Sequence, residues 1–313
     1  MRTIFFGSPA SALPSLRKLL DAGHSVGLVI TQPDKPAGRG RRMTSSPVKS
    51  FAVERGIPVI APEKIRKDES VLPRIRDAGP DIHVVVAYGQ IIPASIIYSP
   101  RCHSLNVHFS LLPKYRGAAP VQWAVLNGEM ETGVTIIELN ERMDEGDILA
   151  QAKTRIRPRE TAGELETRLA DLGADLLLQT LEAVDSLPRL PQDHTRASLA
   201  PKIQKEDGRI EWSESAEFID RKVRALAERP GTFTFFRGRR LQVHMGRPLE
   251  AGRHSGARPG EVLDAGRDGL TVACGAHSTY LIEDLQPEGK KRMSAYAFRL
   301  GAKIHPGELF TGE

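Results

Sequence analysis

The chain has 313 residues, of which 40% are hydrophobic and 27% charged, with a formal net charge of +5. That length predicts two domains rather than one oversized core, and the balance excludes a disordered or membranous chain. The longest apolar runs, such as residues 82–87, are far too short to span a bilayer, and so mild a positive charge only weakly favours a polyanionic partner.

The first residues, Met1 to Gly7, run straight into a strand-like segment at 3–6 and show no leader with a long apolar middle, so export is not expected and a cytoplasmic location is. Ser8 before Pro9 has the pattern of a helix start, a capping hydroxyl followed by a proline where no amide donor is needed. Leu13, Leu16 and Leu20 then recur at helical spacing. Strands are predicted at 25–31, 58–60, 81–87, 104–107, 133–138 and 148–156, with helices near 48–55 and 70–78. This alternation predicts an α/β fold: a Rossmann-like, mostly parallel sheet with helices on both faces.

Thr161-Ala162-Gly163-Glu164 is a capping-box pattern opening a long helix, and Leu165, Leu169, Leu172, Leu176, Leu181 and Val184 form its apolar stripe. Pro188 and Pro191 stop it. The polar stretch that follows reads as an interdomain linker. A helix near 216–227 then precedes β-rich runs at 233–236, 240–245, 261–263, 270–273 and 279–284. Parted by glycine turns, these predict a smaller antiparallel, OB-like β-barrel. The expected division is a catalytic domain at 1–188, a linker at 189–207 and a barrel domain at 208–313. Two cysteines, Cys102 and Cys274, are too few for a disulfide framework and stand in no metal-ligand spacing, so free thiols are expected.

The stretch from Asn106 to Pro120 is the most informative. Asn106 and His108 stand two apart at a strand end, so their side chains share one face. An amide donor and an imidazole converging there can hold a carbonyl oxygen and exchange a proton. Taken alone, such a pair is weak evidence, and a structural or surface histidine is the commoner reading. Further on, Met143-Asp144-Glu145-Gly146-Asp147 reads as an acidic turn without the EF-hand spacing. Asp144 beside that turn would bring a carboxylate back against His108 and orient it. Between Asp34 and Glu54 lie five cations, Lys35, Arg39, Arg41, Arg42 and Lys49, and no acid. Glycines at 38 and 40 interrupt them. A solvated basic loop is the plain reading of such a run. Arg237-Gly238-Arg239-Arg240 and Lys290-Lys291-Arg292 are smaller basic clusters in the barrel region.

Along essentially its whole length the chain resembles the methionyl-tRNA formyltransferase family. The resemblance is carried by residues 31–40, Ser46-Pro47-Val48-Lys49, 86–93, 106–120, 131–135 and 143–148. It implies that Asn106, His108 and Asp144 form the catalytic set. It implies that a folate lies along Ser110, Leu111, Leu112 and Pro113 and the backbone around Tyr88, Gly89 and Ile91. The donor would be 10-formyltetrahydrofolate, used as co-substrate with no metal and no bound cofactor. Lys35, Arg39, Arg41 and Arg42 would contact the acceptor, methionyl initiator tRNA. The chain would act as a monomer away from membranes.

Three departures from the family pattern stand out: Gly7-Ser8-Pro9-Ala10-Ser11 lacks an acid and an aromatic, Phe109 is bulky where a small residue is usual, and Glu228-Arg229-Pro230-Gly231 replaces a Pro-Trp-Pro run. The alternatives are a folate-dependent transferase for a small amine and a catalytically dead RNA-binding module. The basic loop and the extra barrel argue against the first, the retained Asn106, His108 and Asp144 against the second. A dinucleotide dehydrogenase is disfavoured because Gly7-Ser8-Pro9-Ala10 lacks the G-x-G-x-x-G spacing.

Overall fold

The computed structural model describes residues 1–37, 42–249 and 256–311. They pack into two compact units. One comprises Met1–Pro120, Glu131–Arg155 and Glu166–Pro201; the other comprises Val121–Met130, Ile156–Leu165 and Lys202–Glu313. No helix among the described residues is long and apolar enough to cross a membrane.

The first half of the chain runs through β1 (Arg2–Gly7), α1 (Leu13–Asp21), β2 (Ser25–Ile30), β3 (Lys35–Ala37), β4 (Arg42–Thr44), α2 (Pro47–Glu54), β5 (Val59–Ile60), α3 (Val71–Ala78), β6 (Ile82–Val86), α4 (Ala94–Ile97) and β7 (His103–His108). It continues through β8 (Arg116–Gly117), α5 (Pro120–Leu126), β9 (Glu131–Glu138), β10 (Ile148–Arg155), α6 (Ala162–Glu182) and β11 (Leu199–Ala200). Among the described residues the main sheet has seven strands in the order β10-β9-β7-β6-β1-β2-β5. The five from β7 to β5 run parallel, while β9 and β10 are antiparallel additions at one edge.

Strands buried on both faces read as continuous apolar runs, and β6, Ile82–Val86, is buried at every position. One face packs Ile4, Phe6, Leu28, Ile30 and Val85 against Val71 and Ile75 of α3 and Ile96 of α4. On the opposite face α6 approaches β7 and β9 closely. A Cβ on Gly173 would come within 2.9 Å of Val107 and 3.2 Å of Val134, so only glycine lets the helix sit there. Phe109 is buried next to the same glycine, which is how a bulky residue is accommodated directly after His108.

The expected helix start at Ser8 takes a different form. Pro9 caps a short 3₁₀ turn, Ala10–Ala12, without a side-chain bond. The Ser8 hydroxyl instead accepts from the Gln32 amide at 3.0 Å and the Thr31 hydroxyl at 3.2 Å. The parallel ends of β1 and β2 bring it nearer to those donors than to its own next turn. Residues 189–201 pack as part of the first unit. Leu190 exchanges backbone bonds with Ile148, at 2.9 and 3.0 Å, and β11 pairs in parallel with β8.

In the second unit α7 (Ala216–Ala225) precedes β12 (Thr232–Phe236), β13 (Arg239–Leu249), β14 (Val262–Ala265), β15 (Leu270–Ala273), β16 (Thr279–Pro287), β17 (Met293–Ser294), α8 (Ala295–Ala302) and β18 (Phe310–Thr311). The sheet order is β14-β15-β16-β13-β12-β18, with β17 paired to β16. Its two ends meet: the Val262 amide donates to Glu308 and the Phe310 amide to Gly260, both at 2.8 Å, giving barrel-like closure. Ile219 and Val223 of α7 pack on Trp212, Phe236, Tyr280 and Phe310 inside. The helix α8 and strands β17 and β18 fall where the sequence carries only short, weakly periodic segments.

Candidate active site

Open parallel sheets bind ligands beyond the carboxyl ends of their strands, where neighbouring connections leave in opposite directions. Here β1 lies between β2 and β6, and the ends of β6 and β7 open on the same side. Asn106 and His108 occupy the last turn of the β7 pleat and pair with Ile137 and Thr135 of β9. Both are nearly closed off from water, at 9% and 6% exposure.

Asp144 arrives from the turn between β9 and β10. Its carboxylate accepts from the Gly117 amide at 2.8 Å and from the Asn106 amide at 3.4 Å, and lies 3.7 Å from His108 Nδ1. His108 Nε2 is 2.9 Å from the Tyr115 carbonyl, which can only accept, so that nitrogen carries the proton. In the neutral ring Nδ1 is therefore the open basic position, facing the carboxylate at a distance too long for a direct hydrogen bond. The three residues expected to act together are brought together, with the Gly117 amide as a fourth member. A Cβ on Gly117, at φ +123°, would lie 2.7 Å from the Ala200 carbonyl. Only glycine puts its amide there.

The segment Ser110–Pro113 is fastened from β9 and β10. Thr135 Oγ1 donates to the Ser110 carbonyl at 2.7 Å and accepts from the Leu112 amide at 3.1 Å. Gln151 Nε2 reaches the Leu112 carbonyl and Thr135 Oγ1, both at 2.9 Å. The Ser110 hydroxyl turns inward to the Lys114 carbonyl at 2.7 Å. Leu112 is buried, while Leu111 and Pro113 remain half-buried. Leu111 rests on Gly133, where any Cβ would approach it to 2.6 Å.

The turn after β6 leaves through Ala87 at φ +47° and Gly89 at φ +81°. Tyr88 points its ring into the core beside Phe6, and burial pushes its phenol well above the ordinary range. Its carbonyl, by contrast, accepts from Gln32 Nε2 at 3.1 Å. Gln90 ties the turn to the Pro62 carbonyl and the Ile65 amide, at 3.0 and 2.8 Å. Gly89 and Ile91 are exposed. At this edge Tyr88 offers backbone, and Ile91 offers an apolar surface.

Of the basic residues at 35–49, Lys35 and Arg42 are exposed and sit on the β3–β4 hairpin, while Arg39 and Arg41 lie outside the described residues. Lys35 donates to Gln32 at 3.0 Å. Lys49 is not a free cation: it pairs with Asp34 at 2.8 Å, a bond that holds the Asp34 carboxyl below its usual range. In the second unit Arg237 and Arg292 pair with Glu308 and Asp284, and Arg240 stacks over Phe233 at 4.0 Å. Tyr115, Gly117 and Thr135 lie within the stretches that carry the resemblance and Gln151 does not, but in all four the role shows only in the contacts: the Tyr115 carbonyl on His108, the Gly117 amide on Asp144, and Thr135 and Gln151 on the Ser110–Leu112 backbone.

Known proteins resemble this chain in sequence and in fold. Residues 1–181 match the formyl transferase family model and residues 202–303 match the formyl transferase C-terminal domain model. A methionyl-tRNA formyltransferase of Desulfotalea psychrophila is 46% identical over 306 residues, covering 97% of this chain and 94% of that one. That of Acetivibrio thermocellus is 41% identical over 311 residues, 99% of each. Among solved structures, a methionyl-tRNA formyltransferase from Clostridium thermocellum has a TM-score of 0.59 at 17% identity, over 81% of this chain and 95% of that chain. HypX from Aquifex aeolicus, in complex with tetrahydrofolic acid, scores 0.65 at 18% identity over 96% of this chain. The match spans 47% of HypX, so this chain corresponds to about half of it. By full-length identity above 40% and by both domain models, this chain belongs to the formyl transferase family, in its methionyl-tRNA formyltransferase branch.

Proposed function

We propose that this chain transfers the formyl group of 10-formyltetrahydrofolate to the α-amino group of methionyl initiator tRNA. The observation that carries the reading is the convergence of Asn106, His108 and the Gly117 amide on the Asp144 carboxylate. The folate lies against Leu111 and Pro113, with the backbone around Ser110, Leu112, Tyr88 and Gly89 and the exposed Ile91 forming the rest of its rim. The acceptor end of the tRNA meets Lys35, Arg39, Arg41 and Arg42, whose ammonium and guanidinium groups suit phosphates and unpaired bases.

The amine nitrogen bonds to the formyl carbon, and the carbonyl electrons move onto oxygen. Asn106 has a second N–H beyond the one directed at Asp144, and it donates to that oxyanion. A donor of this kind contributes about 2.7–4 kcal/mol to the transition state. The amine then gives up a proton to His108 Nδ1, the ring position left open by the Tyr115 carbonyl. The imidazolium so formed is balanced by Asp144 at 3.7 Å. Collapse of the adduct re-forms the carbonyl, breaks the bond to folate N10, and returns the proton from His108 to that nitrogen. The enzyme ends unchanged, with no covalent intermediate.

The test offers 10-formyltetrahydrofolate labelled in the formyl group to charged initiator tRNA, free methionine and an amino-sugar nucleotide. Label on the tRNA alone is expected. Transfer to the amino-sugar nucleotide at a comparable rate would replace this reading with that of a small-amine transferase.

A further inference from the structure

We infer that Gln192 is a positioning residue for catalysis, fixing Asp144 through a buried clamp it forms with Arg116. The inference rests on the proposed catalytic role of Asp144. Gln192 lies in the segment after α6 whose composition suggests only a connector, and no motif marks it. It is nevertheless 5% exposed, and its carboxamide is fully engaged. Nε2 donates to the carbonyls of Asp144 and Gly146, at 2.8 and 2.7 Å. Oε1 accepts from Arg116 Nε at 3.1 Å and Nη2 at 2.7 Å.

Arg116 is equally buried, at 5% exposure, and its Nη1 lies 3.3 Å from the Glu145 carboxylate. Its fork also reaches His194 Nδ1 at 3.2–3.3 Å. Three successive residues of the turn are therefore held from one side: Asp144 and Gly146 by their carbonyls, Glu145 by its side chain. The hold is needed because Asp144 has φ +55°, a conformation that a non-glycine residue keeps only when its surroundings enforce it. Gly146 leaves no slack either, since a Cβ there would overlap the Glu138 carbonyl. The Gly117 amide grips the carboxylate end of Asp144, and Gln192 grips its backbone. A carboxylate tethered at both ends stays 3.7 Å from His108 Nδ1, poised for the imidazolium without closing on the neutral ring.

The test compares Gln192→Leu and Gln192→Glu, alone and combined with Asp144→Asn, under saturating donor and charged tRNA. Rates are taken per folate-binding site, so that lost folding does not enter. Gln192→Glu keeps the acceptors for Arg116 and loses both donors to the turn, which provides a folded variant if the leucine protein is unstable. Each single variant is expected to lower kcat by about 10–100-fold with KM for both substrates nearly unchanged, the scale of a catalytic group misplaced by about 1 Å. In the Asp144→Asn background the same changes are expected to add little, since they act through that carboxylate. Wild-type kcat in the Gln192 variants, or a full multiplicative loss on top of Asp144→Asn, would overturn the inference while leaving the catalytic reading intact. Wild-type kcat in Asp144→Asn alone would overturn both.

Discussion

The turn that carries Asp144 and the basic hairpin at 35–44 are both short excursions from one sheet, and they are held in opposite ways. In the first, the polar groups are spent inside the protein: the Asp144 carboxylate on Gly117 and Asn106, its carbonyl on Gln192, and the ring of His108 on Tyr115. In the second, the ties among the described residues include several at the base. Asp34 pairs with Lys49, Thr31 with Ser46, and Lys35 with Gln32, while Arg42 remains exposed at the start of β4. A reacting group needs its position fixed to a fraction of an ångström, whereas a cation for a flexible polyanion needs reach and unspent charge. Internal satisfaction suits the proposed chemistry, and anchored exposure suits the proposed docking element.

The sharpest break of this contrast is to remove the chemistry and keep the docking. His108→Ala and Asn106→Ala are each expected to lower kcat about 10²–10³-fold while the Kd for charged tRNA stays as in the wild type. Single-turnover rapid quench with a filter-binding measurement decides it, and near wild-type turnover would make the buried cluster mere scaffolding. Gly117→Ala probes the same site through backbone alone. With its Cβ forced to within 2.7 Å of Ala200, the amide must leave Asp144, and kcat is expected to fall about 10–100-fold together with Tm. A drop in Tm with kcat intact would show that Asp144 does not depend on that amide.

The reverse break leaves the cluster alone and neutralises the hairpin. Arg42→Ala is expected to raise KM for tRNA and leave folate affinity untouched. The log–log salt dependence of tRNA binding should flatten by up to about one unit, with Arg42→Lys recovering part of the loss. Adding substitutions at Arg39 and Arg41 should deepen the effect, and an unchanged salt slope in the triple variant would make the hairpin a bystander.

The pH dependence of stability separates a core histidine from a chemical one. His83, on the same sheet as His108, meets the Ser104 hydroxyl at 3.2 Å and packs edge-on against Phe6, and burial lowers its pKa from 6.5 to about 3. Between those values the unfolded chain binds the extra proton, so the stability His83 contributes is full above pH 6.5. It drains away as pH falls toward 3, by up to about 1.4 kcal/mol per pH unit. Denaturant melts from pH 7 to 4 should show His83→Leu with a shallower decline than the wild type; an equal slope would place the acid sensitivity elsewhere.

Most elements were legible because their signals are local. The buried runs of β1 and β6, the 3.6-residue stripe of α6, and the reciprocal box of Thr161 and Glu164 lie within a few residues of the structure they encode. Asn106 and His108 were legible as a pair for the same reason, being two apart on one strand. At Ser8 the local pattern of a cap is overridden by donors just past the end of β2, 23 and 24 residues away. The segment around Gln192 looked like a connector because proline and polar residues there satisfy no local period. Its partners stand 46 to 76 residues earlier.

From the sequence alone follow the strand–helix alternation, the barrel beyond it, the family resemblance, and the candidates that resemblance implies for formyl-transfer chemistry. Periodicity and motif are properties of neighbours along the chain, so they survive without coordinates. Only the tertiary structure decided which nitrogen of His108 is open, that Tyr88 turns its ring inward, that Lys49 is already paired, and that Asp144 is gripped from both sides. Each of these is the outcome of a competition among hydrogen-bond partners brought together by closing the fold, and such a competition has no winner until the chain has paid the entropy of bringing them into reach.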